Sequence, residues 1–133
     1  MQSTWSFNLN GMYQVAPDRG WGFNISTNIA GREGTPIPYW DQVTLSTGAV
    51  NQIVIDKFDR YRLDDPITVD LRLEKEFAVN GPMSLTFGID LFNAFNENPG
   101  LSYNPRTDIS RAGWLEDHVS PRVYRLGVRL NWK

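Results

Sequence analysis

Four acidic residues, Asp70, Glu74, Glu76 and Asp90, are of a type that could perform acid and base chemistry. Two carboxylates that flank a glycosidic bond can cleave it, one as an acid and the other as a base or nucleophile. Alternation places three arginines on the same faces of the predicted strands, Arg72, Arg125 and Arg129. A guanidinium beside a carboxylate favours its ionised form, so we expect ion pairs on a polar surface rather than a catalytic pair.

Nucleophilic and metal-assisted catalysis lack their usual residues. The chain has no cysteine, no serine in a nucleophile-elbow sequence and one histidine, His118, which has no second histidine or cysteine beside it. The acidic segment 56–65 also contains Lys57, Arg60 and Arg62, and its spacing differs from that of an EF-hand. We therefore expect solvated loops at these positions, with no metal, no cofactor and no enzymatic activity.

Aromatic residues in the predicted loops suggest a different kind of site. Tyr39, Trp40, Tyr103 and Trp114 lie in segments rich in Gly, Pro, Asn and charge. Aromatic rings of this kind can stack on a sugar or on an aromatic chelator, since they combine a large apolar surface with a polar tip. The alternative is that they pack the loops against each other. Both interpretations remain open from the sequence.

The elements that position these residues are predicted by alternation of apolar and polar side chains, the period of a β-strand. Five segments alternate in this way: 5–15, 21–31, 67–77, 83–95 and 122–132. We predict that one face of their sheet is an exposed apolar belt, represented by Leu9, Ile25, Leu71, Ile89 and Val128. The opposite face is predicted to be polar and concave, represented by Asn8, Asn24, Arg72, Asp90 and Arg129.

The connections between these segments alternate in length. The short ones, 16–20 and 78–82, have turn compositions with Pro, Asn, Asp and Gly, whereas 32–66 and 97–121 are long. Outer-membrane barrels join their strands by short periplasmic turns and longer extracellular loops. We therefore predict an antiparallel meander of about five long, strongly twisted strands, a curved segment of a transmembrane barrel. A hairpin arm is predicted to project from the first long loop near 50–57.

Bulk composition fits an ordinary soluble protein, with 41% hydrophobic residues and a net charge of -2. Barrel strands hide in such averages because the residues that face the lumen are polar. The first residues contain no secretory signal, which a full-length outer-membrane protein would need, so either the barrel interpretation is wrong or the chain lacks its natural beginning. A soluble carbohydrate-binding β-sandwich is the alternative, although its turns would recur at closer spacing than these loops allow.

The last strand also carries a recognisable pattern. Arg125, Gly127, Leu130 and Trp132 follow the order polar, any, Gly, two of any, hydrophobic, any, aromatic. This order resembles the C-terminal signal by which outer-membrane barrels reach their assembly machinery. Many such proteins end on the aromatic residue, whereas here Lys133 follows it.

Several stretches resemble, in the same order, the C-terminal part of TonB-dependent outer-membrane receptors. The resemblance is to the Oar-like group, whose full-length members carry a carboxypeptidase-regulatory-like domain before plug and barrel. The segments that carry it are 31–39, 61–65, 69–77, 90–96 and 120–127. Segment 90–96, Asp-Leu-Phe-Asn-Ala-Phe-Asn, is similar to an "NLFN-x-x-N" box late in these barrels.

The resemblance implies a location and a set of partners. Residues 1–133 would form the C-terminal wall of a barrel of about 22 strands in the outer membrane, with 32–66 and 97–121 as extracellular loops. The implied partners are membrane lipid, the barrel assembly machinery, the rest of the barrel, the plug and TonB. Solute uptake would belong to the full-length receptor, and no nucleic-acid partner is implied.

Overall fold

The structure is a computed structural model that describes residues 4–57 and 60–132. Its described part is all-β, with antiparallel sheets and no helix. None of the described segments is therefore a helix long and apolar enough to cross a membrane. The strands are β1 (Ser6–Val15), β2 (Phe23–Arg32), β3 (Trp40–Leu45), β4 (Gly48–Ile53), β5 (Ile67–Asn80), β6 (Met83–Phe92), β7 (Gly100–Tyr103), β8 (Leu115–His118) and β9 (Val123–Trp132).

The main sheet has five strands in the order β1-β2-β5-β6-β9. These strands lie within a few residues of the five segments predicted by alternation, and they pair in the predicted sequential order. The sheet is open, because β1 and β9 stand at its two edges. The described residues thus form no closed barrel, and the barrel remains a prediction.

The strand register separates the two faces of this sheet. Across β5, β6 and β9 the apolar rows run through pairs such as Leu73↔Ile89 and Ile89↔Leu126, and the polar rows through Arg72↔Asp90 and Asp90↔Arg125. On the other side of β5, Ile25 pairs with Leu73. Successive side chains of a strand point to opposite faces, so these apolar rows and these charged rows lie on opposite faces of the sheet.

Apart from Pro36 and Pro66, no hydrophobic side chain is buried in the described part of the chain. The predicted belt is exposed on every strand: Leu9 62%, Ile25 39%, Leu71 40%, Ile89 46% and Val128 65%. Its largest exposure is at Leu126, whose side chain is 79% exposed. A soluble domain of this length normally buries such side chains in a core. This sheet leaves them on its surface.

By its contacts the chain divides into two compact units. The first, here called the sheet unit, is built from Phe7–Gly31, Ile67–Glu97 and the chain from Pro121 onwards. The second, the loop unit, is built from the residues before Phe7 together with Arg32–Pro66 and Asn98–Ser120. The long connections are therefore ordered elements with contacts of their own.

Two hairpins in the loop unit correct the sequence prediction. The predicted arm near 50–57 is a hairpin of β3 and β4, with β4 ending at Ile53 and Val43 opposite Val50. The segment 97–121, predicted as a long extracellular loop, contains the paired strands β7 and β8. The bounds of these four strands were hard to predict because the strands are short. In addition, neither β3 nor β4 has a cleanly apolar face.

Candidate functional site

The polar face of the sheet unit is organised around Asp90 on β6, one of three buried polar side chains among the described residues. Arg72 on β5 donates from Nε to Oδ1 at 2.5 Å and from Nη2 to Oδ2 at 3.3 Å. Arg125 on β9 donates from Nε to Oδ2 at 2.7 Å. One carboxylate therefore joins three neighbouring strands.

Strand register explains why these three side chains meet. Arg72 lies opposite Asp90 in the β5–β6 ladder, and Arg125 lies opposite Asp90 in the β6–β9 ladder. Side chains directly opposite each other in an antiparallel pair have Cβ atoms about 5 Å apart. Two guanidiniums thus reach the same carboxylate from opposite sides.

Glycines open the neighbouring part of this face. Gly88 and Gly127 lie opposite each other in the ladder, and without side chains they leave an open cleft of about 190 Å³. Glu74 and Arg129 face each other across it, with Oε1 and Nη1 3.7 Å apart. The cleft is therefore walled by opposite charges.

A second polar cluster fixes the end of β6. The backbone N–H of Asn93 donates to Asp70 Oδ1 at 2.9 Å, and Asn28 Nδ2 donates to Asp70 Oδ2 at 3.3 Å. Asn93 closes its own turn, since Nδ2 donates to the carbonyl of Glu97 at 2.6 Å and Oδ1 accepts from the N–H of Glu97 at 3.0 Å. Its φ of 49° is one that Asn tolerates better than most residues.

Asn93 and Asn96 were not identified as structural residues from the sequence. Asn96 also has a positive φ, 57°, and its Oδ1 accepts from the N–H of Arg122 just before β9. The signal that could have found them is the Asn-rich segment 90–96, because Asn in a turn bonds nearby backbone and accepts left-handed geometry. Residues 93–96 form a turn after β6 that is hydrogen-bonded to Arg122, just before β9.

Asp90 and Asp70 have a structural role, as acceptors of hydrogen bonds that join separate parts of the sheet unit. Asp90 accepts from two guanidiniums, and Asp70 accepts from an amide and a backbone N–H. Each of these hydrogen bonds joins residues from different strands or a strand and a turn. The two carboxylates hold the polar face and its turn together.

In the loop unit, two of the proposed ligand-binding aromatics are engaged in packing. Tyr39 makes an edge-to-face contact with Tyr61, with ring centroids 5.5 Å apart. The guanidinium of Arg106 lies 5.1 Å from the ring centroid of Trp40, a cation–π distance. These two rings stabilise the loops internally, which is the alternative that the sequence left open.

Tyr103 and Trp114 differ in exposure. Tyr103 is half-buried in β7, with its ring close to the backbone of Gly100, where a Cβ atom would clash with it. Trp114 is 62% exposed and lies just before β8. Among the four aromatics, Trp114 is thus the one whose ring is free to meet a ligand.

Ion pairs within the loop unit are made largely by residues close in sequence. Arg106 donates to Asp108 through Nε at 3.0 Å and Nη2 at 2.5 Å. This hydrogen-bonded guanidinium lowers the pKa of Asp108 below its ordinary value of 3.8. Thr107, between them, donates its hydroxyl to Asp41. The contacts hold segment 106–108 against the start of β3.

The four residues of the C-terminal pattern all lie on the edge strand β9. Arg125, Gly127, Leu130 and Trp132 lie opposite Asp90, Gly88, Leu85 and Met83. Arg125 and Gly127 belong to the polar face, and Leu130 and Trp132 to the apolar face, where they are 58% and 77% exposed. The pattern therefore presents both of its faces at a free sheet edge.

Metal ligands do not cluster in the part of the chain that the structure describes, where no three His, Cys, Asp or Glu residues could hold an ion together. Asp59 of the acidic segment lies outside the described residues. His118 is exposed at the end of β8, and its backbone N–H donates to Asp117.

Comparison with known proteins finds no matching protein family, no matching curated protein and no matching solved structure.

Proposed function

We propose that this chain is a wall of an outer-membrane β-barrel, the C-terminal part of a TonB-dependent receptor of the Oar-like group. One observation carries the proposal: the five-stranded sheet exposes a continuous apolar face on all its strands. Apolar patches larger than several hundred Å² are abnormal on soluble monomers and mark surfaces that contact a membrane or a partner. We assign this apolar face to contact with the hydrocarbon of a membrane.

The polar face supports the same proposal. In a membrane barrel, residues that face the lumen alternate with residues that face lipid along every strand. The ion-paired residues Arg72, Asp90 and Arg125 alternate with Leu71, Leu73, Ile89, Leu91, Tyr124 and Leu126 in this way. Charged groups that would be costly in lipid thus share the face assigned to the lumen.

Aromatic residues gather at one end of the sheet. Trp132 lies opposite Met83 on β6. Phe77 on β5 lies opposite Leu85, two residues further along β6. Trp21 precedes β2 at this same end by register. Phe77 and Phe87 make an edge-to-face contact at 5.7 Å. Rings of this kind form girdles at the interfaces of membrane barrels, and we assign this end to the periplasmic interface.

Lys75 is the one charged side chain on the apolar face among the described strand residues. Its Nζ donates to the carbonyls of Gly20 and Gly22 at 2.5 and 2.7 Å, and lies 5.1 Å from the centroid of Phe77. The long side chain thus carries its charge to the turn beyond the strand end, as snorkelling lysines do. A charge placed in this way is compatible with lipid contact at the interface.

The open sheet edges explain why the remaining wall is needed. In hydrocarbon, each unpaired backbone group at an edge costs on the order of several kcal/mol. The smallest bacterial barrels have about eight strands, so we assign this chain the role of wall, extracellular loops and assembly signal. Solute uptake belongs to the complete receptor, with plug and TonB, and the chain's partners there are lipid and the assembly machinery.

Site-directed spin labelling tests this assignment, and residues 1–133 contain no native cysteine that would take up the label. Single cysteines are introduced along β9 and β6 of the full-length protein in liposomes, at Leu126, Val128 and Ile89 and at the matched positions Gly127, Arg129 and Gly88. Collision rates with oxygen should be high at the first set and those with a water-soluble nickel complex high at the second. Labels at the first set that report water instead would refute the lipid-facing wall.

Expression of residues 1–133 alone gives a second measurement. The apolar face and both edges would then meet water, so we expect aggregation or material that stays dispersed only in detergent. A monodisperse monomer in water, with a single cooperative unfolding transition, would contradict the proposal.

A further inference from the structure

The two free edges of the five-stranded sheet differ in charge. Strand β1 contains no charged residue, whereas the chain from 119 to 132 contains Arg122, Arg125 and Arg129 and no acidic residue. A strand added to the sheet would therefore meet a neutral edge at β1 and a cationic edge at β9.

The neighbouring carboxylates leave this positive charge incompletely balanced. Arg125 shares Asp90 with Arg72, so two guanidiniums divide one negative charge. Arg129 lies 3.7 Å from Glu74, longer than a hydrogen bond. The side chains of Arg125 and Arg129 are 58% and 64% exposed. Both guanidiniums can therefore bind a further carboxylate that approaches from the free side of β9.

We propose that β9 pairs with an antiparallel strand that carries two carboxylates four residues apart on its polar face, supplied by the remaining wall of the barrel. The inference rests on the proposed function, since that function requires a further strand at β9. Arg125 and Arg129 lie on one face and four residues apart, so their directly opposite positions on the new strand have the same spacing. The apolar residues of that strand continue the row of Leu126 and Val128.

A second copy of this chain does not fit the same edge. In a five-stranded antiparallel meander the first and fifth strands run in the same direction, so β1 of another copy would reach β9 as a parallel and uncharged strand. A two-fold arrangement would bring β9 against β9 and place arginines against arginines, which is unfavourable for directly opposed like charges. The charge pattern thus favours a different, acidic strand.

Synthetic peptides test the inference with the full 133-residue chain in detergent micelles. Two ten-residue peptides of alternating apolar and polar residues differ at two polar positions four apart, which are Glu in one peptide and Lys in the other. Each peptide carries a quencher, and the chain carries a fluorophore on Leu126→Cys in β9. We expect the Glu peptide to bind about tenfold more tightly than the Lys peptide at low salt. The Glu peptide would form two cross-strand ion pairs with the arginines of β9, whereas the Lys peptide would place two like charges opposite them.

Two controls locate the effect. A fluorophore on Leu9→Cys reports the neutral edge β1, where the two peptides should bind equally. The variant Arg129→Glu should narrow or reverse the preference at β9 and, because Arg129 makes only a long ion pair, should retain the sheet as judged by circular dichroism. High salt should reduce the difference in affinity.

Equal affinities at β9, a preference that survives Arg129→Glu, or no binding of either peptide would overturn the inference. Its failure is separable from failure of the proposed function. Spin labels that alternate between hydrocarbon and water along β9, together with peptides that bind without charge preference, would leave the lipid-facing wall intact and remove the acidic partner strand.

Discussion

Ion pairs in the sheet unit and in the loop unit join residues at very different sequence separations. On the sheet, Arg72 and Arg125 reach Asp90 from positions 18 and 35 residues away. In the loops, Arg60 binds Asp56 four residues away, and Arg106 binds Asp108 two residues away. The sheet pairs depend on strand register, whereas these loop pairs form within one turn of the chain.

This difference indicates what each kind of pair contributes. A shift of one residue in strand register would move a side chain to the opposite face, so the Arg72–Asp90–Arg125 cluster favours the observed register over its neighbours. Asp90 is buried, while Asp56 and Arg60 keep 60% and 55% of their side chains exposed. Exposed pairs contribute little because water and salt screen them. One ion pair of the loop unit does join distant segments, because Glu33 Oε1 and Arg62 Nη1 lie 3.2 Å apart.

The largest expected effect follows from placing a charge on the apolar face. Val128→Arg on β9 should destabilise the full-length barrel by about 2–4 kcal/mol if the position lies near the membrane midplane. The matched variant Val43→Arg on β3, in the loop unit, should change stability by less than about 0.5 kcal/mol. Denaturant-induced unfolding of both variants in lipid measures the difference. Equal losses would contradict the assignment of the two regions to lipid and water.

Removing the central carboxylate should have an intermediate effect. Asp90→Asn leaves Arg72 and Arg125 without their shared anion, and because both guanidiniums are partly exposed we expect a loss of about 1–2 kcal/mol. Asp56→Asn breaks an ion pair of similar length, 2.8 Å, but an exposed one, and should leave the free energy of unfolding almost unchanged. Unfolding of the two variants side by side shows whether cross-strand pairs matter more than local ones.

Trp132 and Trp5 separate an interface ring from an assembly signal. Both are aromatic residues at strand ends, but only Trp132 belongs to the C-terminal pattern with Gly127 and Leu130. Trp132→Ala in the full-length protein should lower the amount of inserted barrel clearly more than Trp5→Ala, since it removes both roles. Heat-modifiable gel mobility of membrane fractions measures insertion. An equal loss from the two variants would reduce Trp132 to an interface anchor.

Alternation predicted the strands of the sheet because each of them faces two unlike environments. Ile25, Leu73, Ile89 and Leu126 fall on one face and their neighbours on the other, so period and register reinforce each other. In β3 and β4 both faces are largely exposed and neither is apolar throughout. The sequences of such strands show little alternation of apolar and polar residues. Their positions depend on turns and on backbone contacts, which the sequence pattern does not show.

The polar contacts were predictable by type but not by partner. The sequence indicated ion pairs among Arg72, Asp90 and Arg125, because alternation placed them on equivalent faces. It could not show that Asp70 binds the backbone of Asn93, since that contact depends on where β6 ends and how the next turn folds. Trp40 was likewise identified as a loop aromatic, but its contact with Arg106 joins segments 66 residues apart.

The smallest expected effect concerns the pKa of Asp108 in the loop unit. The hydrogen-bonded guanidinium of Arg106 lowers this pKa from its ordinary value of 3.8, so Arg106→Gln should raise it back towards 3.8. A carboxyl whose pKa is lower in the folded than in the unfolded state stabilises the fold above the unfolded pKa, near pH 4. That contribution is lost as the pH falls through the folded pKa. Because the pair is partly exposed and joins residues only two apart, its loss should leave the unfolding of the barrel almost unchanged. Carbon-detected NMR titration of the carboxyl measures the shift in pKa. An unaltered pKa in Arg106→Gln would assign the lowered value to other neighbours of Asp108, and a large loss of barrel stability would show that local loop pairs carry more than their short sequence separation suggests.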